Sequence, residues 1–372
     1  MSKNKDTLPD ALRIRALTVQ NYKKLDSLEI KFPPPMLPGD LEIMVLGSKN
    51  GGGKTSVLEC CSLLLLAGIL GEIRIERLRE FESLLDIGNQ LIKAGKEHAL
   101  IRGDFVCGKK RCSVQIKITR SGINHQPVIT GDIEILKRSD KTRRSLLSGG
   151  LETALSSALS LSGEPLIVPP LLHFNSYRKI QESNPEFGMM AENYASQRAF
   201  RMGRMHGGLS TPVSAFKQEL LLSLMGRADL FEGSDEKESE SILDQLNNLL
   251  ERYCGGRIEK LRPQADNKVD FRIKPKRGGE SFSFDGLSSG QKEIVATLFL
   301  VWRHSRSNPA IVLIDEPELH LNAEWHADLV EQLRRLAPNN QYILATHSED
   351  IFRSVEEKQR SLLVPDDVGG KM

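Results

Sequence analysis

Net charge is nearly absent from this sequence of 372 residues: 51 lysines and arginines stand against 49 aspartates and glutamates, a formal balance of +2. A chain so balanced is not drawn to polyanions by its overall field, and only local basic patches could make such contacts. Cysteine is sparse. Cys60, Cys61, Cys107, Cys112 and Cys254 form an odd set without a CxxC pair, which argues against a disulfide framework and against a paired zinc motif. No apolar run reaches the ~20 residues of a bilayer-spanning helix. The most apolar stretch, 57–70, contains Glu59 and reads as a buried helix. The first ten residues are polar and lack the apolar core of a secretory signal, so a cytoplasmic protein without a membrane is expected. Internal repeats and long heptad arrays are missing as well. What remains is an ordinary soluble composition, 39% apolar and 27% charged, in a chain long enough for one elaborate domain or two joined lobes.

Apolar residues alternate at Leu12, Ile14 and Ala16, and again at Leu28, Ile30 and Phe32, predicting two strands joined through Asn21-Tyr22-Lys23-Lys24. Prolines at 33–35 and Pro38-Gly39 then make a loop through which no ladder can continue. Residues 41–46 form a short apolar run, broken by Glu42, that leads into a glycine-rich turn and an apolar helix. Residues 98–131 read as a β-meander with Cys112, Val114, Ile116 and Ile118 on one face. A Ser/Leu-rich helical piece precedes Pro169-Pro170, and Leu171–Phe174 reads as a buried strand. The stretch from about 180 to 255 turns to polar helices, the strongest over Glu236–Tyr253. Val269, Phe271 and Ile273, with Phe282 and Phe284, predict a hairpin around Gly278-Gly279. Helix, strand, helix and strand then alternate to residue 346, an α/β pattern.

Four short motifs carry chemistry. Ser48-Lys49-Asn50-Gly51-Gly52-Gly53-Lys54-Thr55 lies between an apolar strand and an apolar helix, the context of a phosphate-binding loop. Glycines let successive N–H groups curl toward phosphate oxygens, and the helix adds its positive end. Lys54 would reach the β and γ phosphates and Thr55 would ligate Mg²⁺. The strict spacing has glycine where Ser48 stands, with Gly47 one residue early; a plain glycine-rich turn is the competing reading. The second motif is Ile311–Ile314 followed by Asp315-Glu316-Pro317, a strand buried on both faces that ends in two acids. Asp315 is placed to hold Mg²⁺ and Glu316 to polarise an attacking water, unless Asp315 merely caps the next helix. Third, Leu287-Ser288-Ser289-Gly290-Gln291 opens a helix and is either an ordinary serine cap or a second phosphate-binding helix end. Fourth, Tyr342–Ser348 is a strand ending in His347, a residue type suited to a polar role near neutral pH.

Phosphate loop, serine-glycine helix end, acidic pair and histidine follow one another in the order of ABC ATPases, which this chain resembles. The opening Leu12–Tyr22 resembles the first strand of RecF/SMC-type heads, with their Asn-aromatic-Lys element. Asp315-Glu316-Pro317-Glu318-Leu319-His320-Leu321-Asn322, with Trp325 and Thr346-His347-Ser348, resembles the small AAA-annotated ATPases found beside OLD, Septu, PARIS and retron defence proteins. The likeness covers residues 11–65 and 269–352 and is weak between them.

The resemblance implies an α/β fold: an ABC-type P-loop ATPase head with mixed and parallel sheets and a helical lobe. Residues 1–174 and 261–372 would form the nucleotide-binding lobe, an N-terminal β-subdomain plus a core sheet, and 175–260 the helical lobe leading to the signature motif. It implies ATP with Mg²⁺, bound by Asn50, Gly51, Gly52, Gly53, Lys54, Thr55 and Ser56. Ser288, Ser289, Gly290 and Gln291 would close over the nucleotide of a second copy, making a homodimer or higher oligomer. Glu316, His347 and Lys54 would act in catalysis, with Thr55, Asp315 and a Q-loop glutamine at the metal. Gln181 is the nearest candidate for that glutamine and Gln197 a second; Arg178 is a candidate phosphate or interface arginine. Glu318–Asn322 would be the D-loop. No coiled coil is inserted, and the short stretch after His347 leaves no room for a Toprim nuclease, so a separate effector, a nuclease or toxin, is expected. The biological expectation is antiphage defence. DNA repair of the RecF kind is the alternative, served by the basic stretches 109–111 and 137–144 with Arg198, Arg201 and Arg204. A transporter subunit fits the N-terminal strand and the His320–Trp325 region less well.

Overall fold

The computed structural model describes residues 10–35, 37, 39–47, 51–71, 90–119, 122–123, 127–136, 151–176, 215–225, 236–263 and 269–363. Along the chain, β1 (Leu12–Tyr22), β2 (Leu25–Lys31) and β3 (Glu42–Gly47) lead to helix α1 (Lys54–Leu70). The meander follows as β4 (His98–Cys107), β5 (Lys110–Thr119), β6 (Gly122–Ile123) and β7 (Val128–Gly131). Next come α2 (Leu151–Ala158), β8 (Leu166–Val168), β9 (Leu171–Phe174), α3 (Ala215–Met225) and α4 (Glu236–Cys254). The remainder is β10 (Gly256–Pro263), β11 (Val269–Pro275), β12 (Phe282–Ser283), α5 (Ser289–Ser305), β13 (Ile311–Asp315), α6 (Ala323–Leu336), β14 (Gln341–Thr346), α7 (Glu349–Arg353) and β15 (Arg360–Leu362).

The strands form three sheets. An antiparallel sheet has the order β2-β1-β4-β5-β6, with β7 also on β5. The core sheet runs β15-β3-β14-β13-β9-β8, parallel except for the antiparallel edge strand β8. A smaller antiparallel sheet joins β10, β11 and β12. The core strands are mostly apolar, without polar alternation, because both of their faces are covered. Ile311, Leu313, Ile343 and Ala345 belong to the hydrophobic cluster that includes α1 and the meander. Val312, Ile314, Tyr342 and Leu344 belong to the opposite cluster, with Phe216, Leu246, Val295 and Leu329 of the helices.

Helix α1 is buried along nearly its whole length, which is why its apolar residues show no one-sided pattern. Its one acid, Glu59, is held by Lys23 Nζ at 2.6 Å and by the Tyr22 hydroxyl at 3.1 Å. Strand β1 differs from expectation in one respect. A bulge between Ile14 and Ala16 shifts the register, so Leu17 and Val19 point inward in place of Ala16. The joining turn is correspondingly tight, at Lys23-Lys24, since β1 continues through Tyr22. The main partner of β11 is β10, and the hairpin expected around Gly278-Gly279 contributes only the two-residue β12. All five cysteines are free, Cys112 facing Phe105 and Cys107 facing Lys110 across the ladder.

His173 of β9 is wholly buried, its Nδ1 3.0 Å from Ser62 Oγ on α1. Burial pushes its pKa down to about 3. The folded chain therefore refuses a proton that the unfolded chain accepts below about pH 6.5, and stability falls as pH drops through that value. This group alone should cost about 2 kcal/mol between pH 7 and pH 5. Urea titrations of wild type and His173→Gln at both pH values test it: the variant should lose about 2 kcal/mol less. Equal losses would clear His173.

Candidate active site

Strand β3 ends at Gly47, and α1 begins at Lys54 with Gly53 as its N-cap. Gly51 and Gly53 have φ of 80° and 86°, the left-handed region that glycine tolerates and other residues resist. No side chain caps α1, so nothing from the cap residue competes for the first-turn amides. The turn between β1 and β2 packs over this loop. A Cβ on Gly53 would meet Leu25 Cδ2 at 2.5 Å, and one on Gly51 would lie 3.3 Å from Lys24 Nζ. Lys24 thus brings a cation to the loop that its place in a turn did not announce. Gly52 and Ser56 are buried beside the loop, while Asn50, with Ser48 and Lys49, lies outside the described residues.

Lys54 and Thr55 meet the ends of β13 and β14. Thr55 Oγ1 donates to Asp315 Oδ2 at 2.8 Å, and Asp315 is fully buried. Asp315 caps no helix; the N-cap of α6 is Asn322. Glu316 leaves the sheet in a left-handed turn, φ 44°, with its N–H donating to Ala345 O at 2.7 Å. Lys54 Nζ lies 2.9 Å from His347 Nε2, which is itself 3.7 Å from Glu316 Oε1. Burial lowers the Lys54 pKa, while Asp315, Glu316 and Glu318 oppose that shift. These residues converge beyond the carboxyl ends of adjacent parallel strands, the usual ligand position of an open α/β sheet.

The Thr55 and Asp315 oxygens, 2.8 Å apart, suit two neighbouring ligands of an octahedral ion, which at Mg²⁺–O distances of ~2.1 Å stand ~3 Å from each other. Among the described residues no group of three or more His, Cys, Asp and Glu side chains gathers at one point. Two protein oxygens are an ordinary complement for Mg²⁺ carried in with phosphates. The third expected ligand, Gln181, lies outside the described residues, as do Gln197, Arg178, residues 137–144, Arg198, Arg201 and Arg204.

The serine-glycine segment Leu287–Gln291 opens α5. Ser288 is its N-cap, accepting from Gln291 N at 3.2 Å, and Gln291 Oε1 accepts from Ser288 N at 3.1 Å, a complete capping box. The other end of the Gln291 amide donates to Tyr253 O at 3.0 Å, tying α4 to α5. Gln291 was expected to face phosphate. Its side chain is engaged at both ends in holding the helix start, while Ser288 and Ser289 are exposed. Gly290 is needed for close approach: a Cβ there would stand 2.1 Å from His320 O. The helix start is therefore seated directly on the backbone that follows the acidic pair.

The fold is that of ABC-type ATPase heads. Residues 192–352, which include the signature segment, the acidic pair and His347, match the family described as "AAA domain, putative AbiEii toxin, Type IV TA system". The chain is 33% identical over 97 residues to the "Retron Vc95 probable ATPase" of Vibrio cholerae serotype O1 biovar El Tor, covering 23% of this chain and 19% of that protein. It is 32% identical over 156 residues to the "Retron Ec83 probable ATPase" of Escherichia coli, covering 39% of this chain and 27% of that protein. The chain thus spans less than a third of the length of these curated relatives. Among solved structures, an Smc head bound to the C-winged helix domain of ScpA superimposes with a TM-score of 0.52 at 14% identity, over 92% of this chain and 91% of that one. That likeness concerns the fold. Among the described residues no helix is long and apolar enough to cross a membrane.

Proposed function

We propose that this chain binds and hydrolyses ATP with Mg²⁺, that two copies sandwich the nucleotide, and that the closed pair signals to a separate effector in antiphage defence. The observation that carries this reading is the meeting of Lys54, Thr55, Asp315, Glu316 and His347 within hydrogen-bond or ion-pair reach of one another. Lys54 and the amides of the loop would hold the β and γ phosphates, and Glu316 would take the proton of the attacking water. Mg²⁺ on Thr55 and Asp315 would neutralise phosphate charge. The exposed Ser288-Ser289 helix end offers N–H groups and a positive dipole to a γ-phosphate held by another copy. ATP favouring the closed arrangement would supply the coupling to a partner. The defence role rests on the retron names of the relatives, and the effector would be a nuclease or toxin that co-purifies with this chain.

The decisive measurement is phosphate release from Mg·ATP across a range of protein concentrations. A site completed by a second copy predicts that turnover per chain rises with concentration and then levels off. Release that never depends on concentration, from a chain that stays monomeric with ATP, would sink the sandwich; no release at all would sink the ATPase. The exposed run Lys109-Lys110-Arg111, at the turn from β4 into β5, favours one second reading, an ATPase acting on DNA. Its mark would be salt-sensitive stimulation of turnover by DNA.

A further inference from the structure

The parallel ladder on both sides of β14 stops just short of His347: the last pairs are Asp315 with Ala345 and Thr346 with Gly47. The N–H of His347 therefore has no ladder acceptor, and a backbone donor at a sheet end needs one from elsewhere. Glu318 supplies it. One carboxylate oxygen accepts from His347 N at 2.6 Å and the other from Thr346 Oγ1 at 2.7 Å. The Thr346 hydroxyl in turn accepts from Ser348 N at 2.9 Å, and Ser348 Oγ lies 3.1 Å from His326 Nδ1 on α6. Thr346 and His347 are thereby fixed to the segment that follows Glu316, and Ser348 is tied to Thr346 and to α6.

We propose that Glu318 is a positioning residue, whose carboxylate clamps the end of β14 and so aims the His347 imidazole at Lys54 and Glu316. This rests on the ATPase reading above. A carboxylate suits the task because both of its oxygens accept, whereas an amide can accept at one only. The clamp also has a far end. Leu321 N donates to Glu318 O at 3.0 Å, His320 is left-handed with φ 63°, and its carbonyl is the group against which Gly290 packs. Glu318 thus stands in a short covalent link, Glu316 to Leu321, between the histidine of the chain's own site and the helix start offered to a second copy.

The test compares Glu318→Ala and Glu318→Gln with wild type in steady-state ATP hydrolysis. Loss of the clamp predicts that Ala lowers kcat about 10–50-fold with KM for ATP within about threefold, the pattern of a misaimed group with binding retained. Gln keeps one acceptor and should lose less than about fivefold. Equal losses for Gln and Ala would mean that Glu318 acts through its charge on Lys54, and the clamp would be rejected. A loss under about threefold for Ala, or a parallel rise of KM and fall of melting temperature, would reject it too. Amide spectra of ¹⁵N-labelled full-length protein separate this outcome from a failure of the ATPase reading. The His347 amide proton should move upfield in Glu318→Ala whether or not the chain turns over ATP, and an unmoved signal would show that the bond does not exist in solution.

Discussion

Glu316→Gln should hold ATP without cleaving it, with turnover lower by about 10²–10³-fold and ATP affinity within about threefold of wild type. The assignment of the base follows from exposure. Asp315 is fully buried and takes the Thr55 hydroxyl, so water cannot reach it as it would a base. The Glu316 side chain is 30% exposed and turns out of the sheet on a left-handed backbone. Its position is fixed by the bond from its amide to Ala345 O, which glutamine preserves. Glutamine is nearly isosteric but cannot take the proton of an attacking water. A complex that binds ATP in its closed form and cannot pass on should accumulate as a dimer, visible by sedimentation with ATP and absent with ADP. Undiminished turnover in this variant would remove Glu316 from the chemistry.

The parts of the molecule legible in the sequence are those with one physical cause. The strands at 42–47, 171–174, 311–315 and 341–346 are buried on both faces, and their mostly apolar composition without polar alternation says so. Helix α1 announces itself by the same means. Strand β10 stayed hidden because Arg257, Lys260 and Arg262 interrupt it, and a strand on the edge of a small sheet need bury little. The bulge in β1 was hidden for another reason: a register shift moves side chains between faces without altering composition. Within the site, residues adjoining strand ends were legible because strand ends are where an α/β sheet binds ligands. Lys24, the commitments of Gln291 and the clamp by Glu318 were not. Each depends on which loop packs against which, and in an isolated sequence a turn lysine or a capping glutamine looks like any other.

Lys54→Ala should weaken ATP binding by roughly 10³-fold, about 4 kcal/mol, and abolish measurable turnover. The cation sits at the start of α1, buried, with its Nζ against the His347 ring and within the fields of Asp315, Glu316 and Glu318. Two losses therefore coincide. Phosphates entering the loop would meet glycine amides without the charge that draws them in, beside acids that repel them. The ligand-free chain would also keep Asp315 buried beside two further acids with that cation removed, a defect of about 2 kcal/mol. Titration calorimetry with ATP measures the first loss, and urea unfolding at pH 7 the second. A variant that binds ATP as wild type does would place the nucleotide elsewhere. One that loses binding while keeping wild-type stability would mean that Lys54 serves the phosphates alone and does not hold the acidic cluster together.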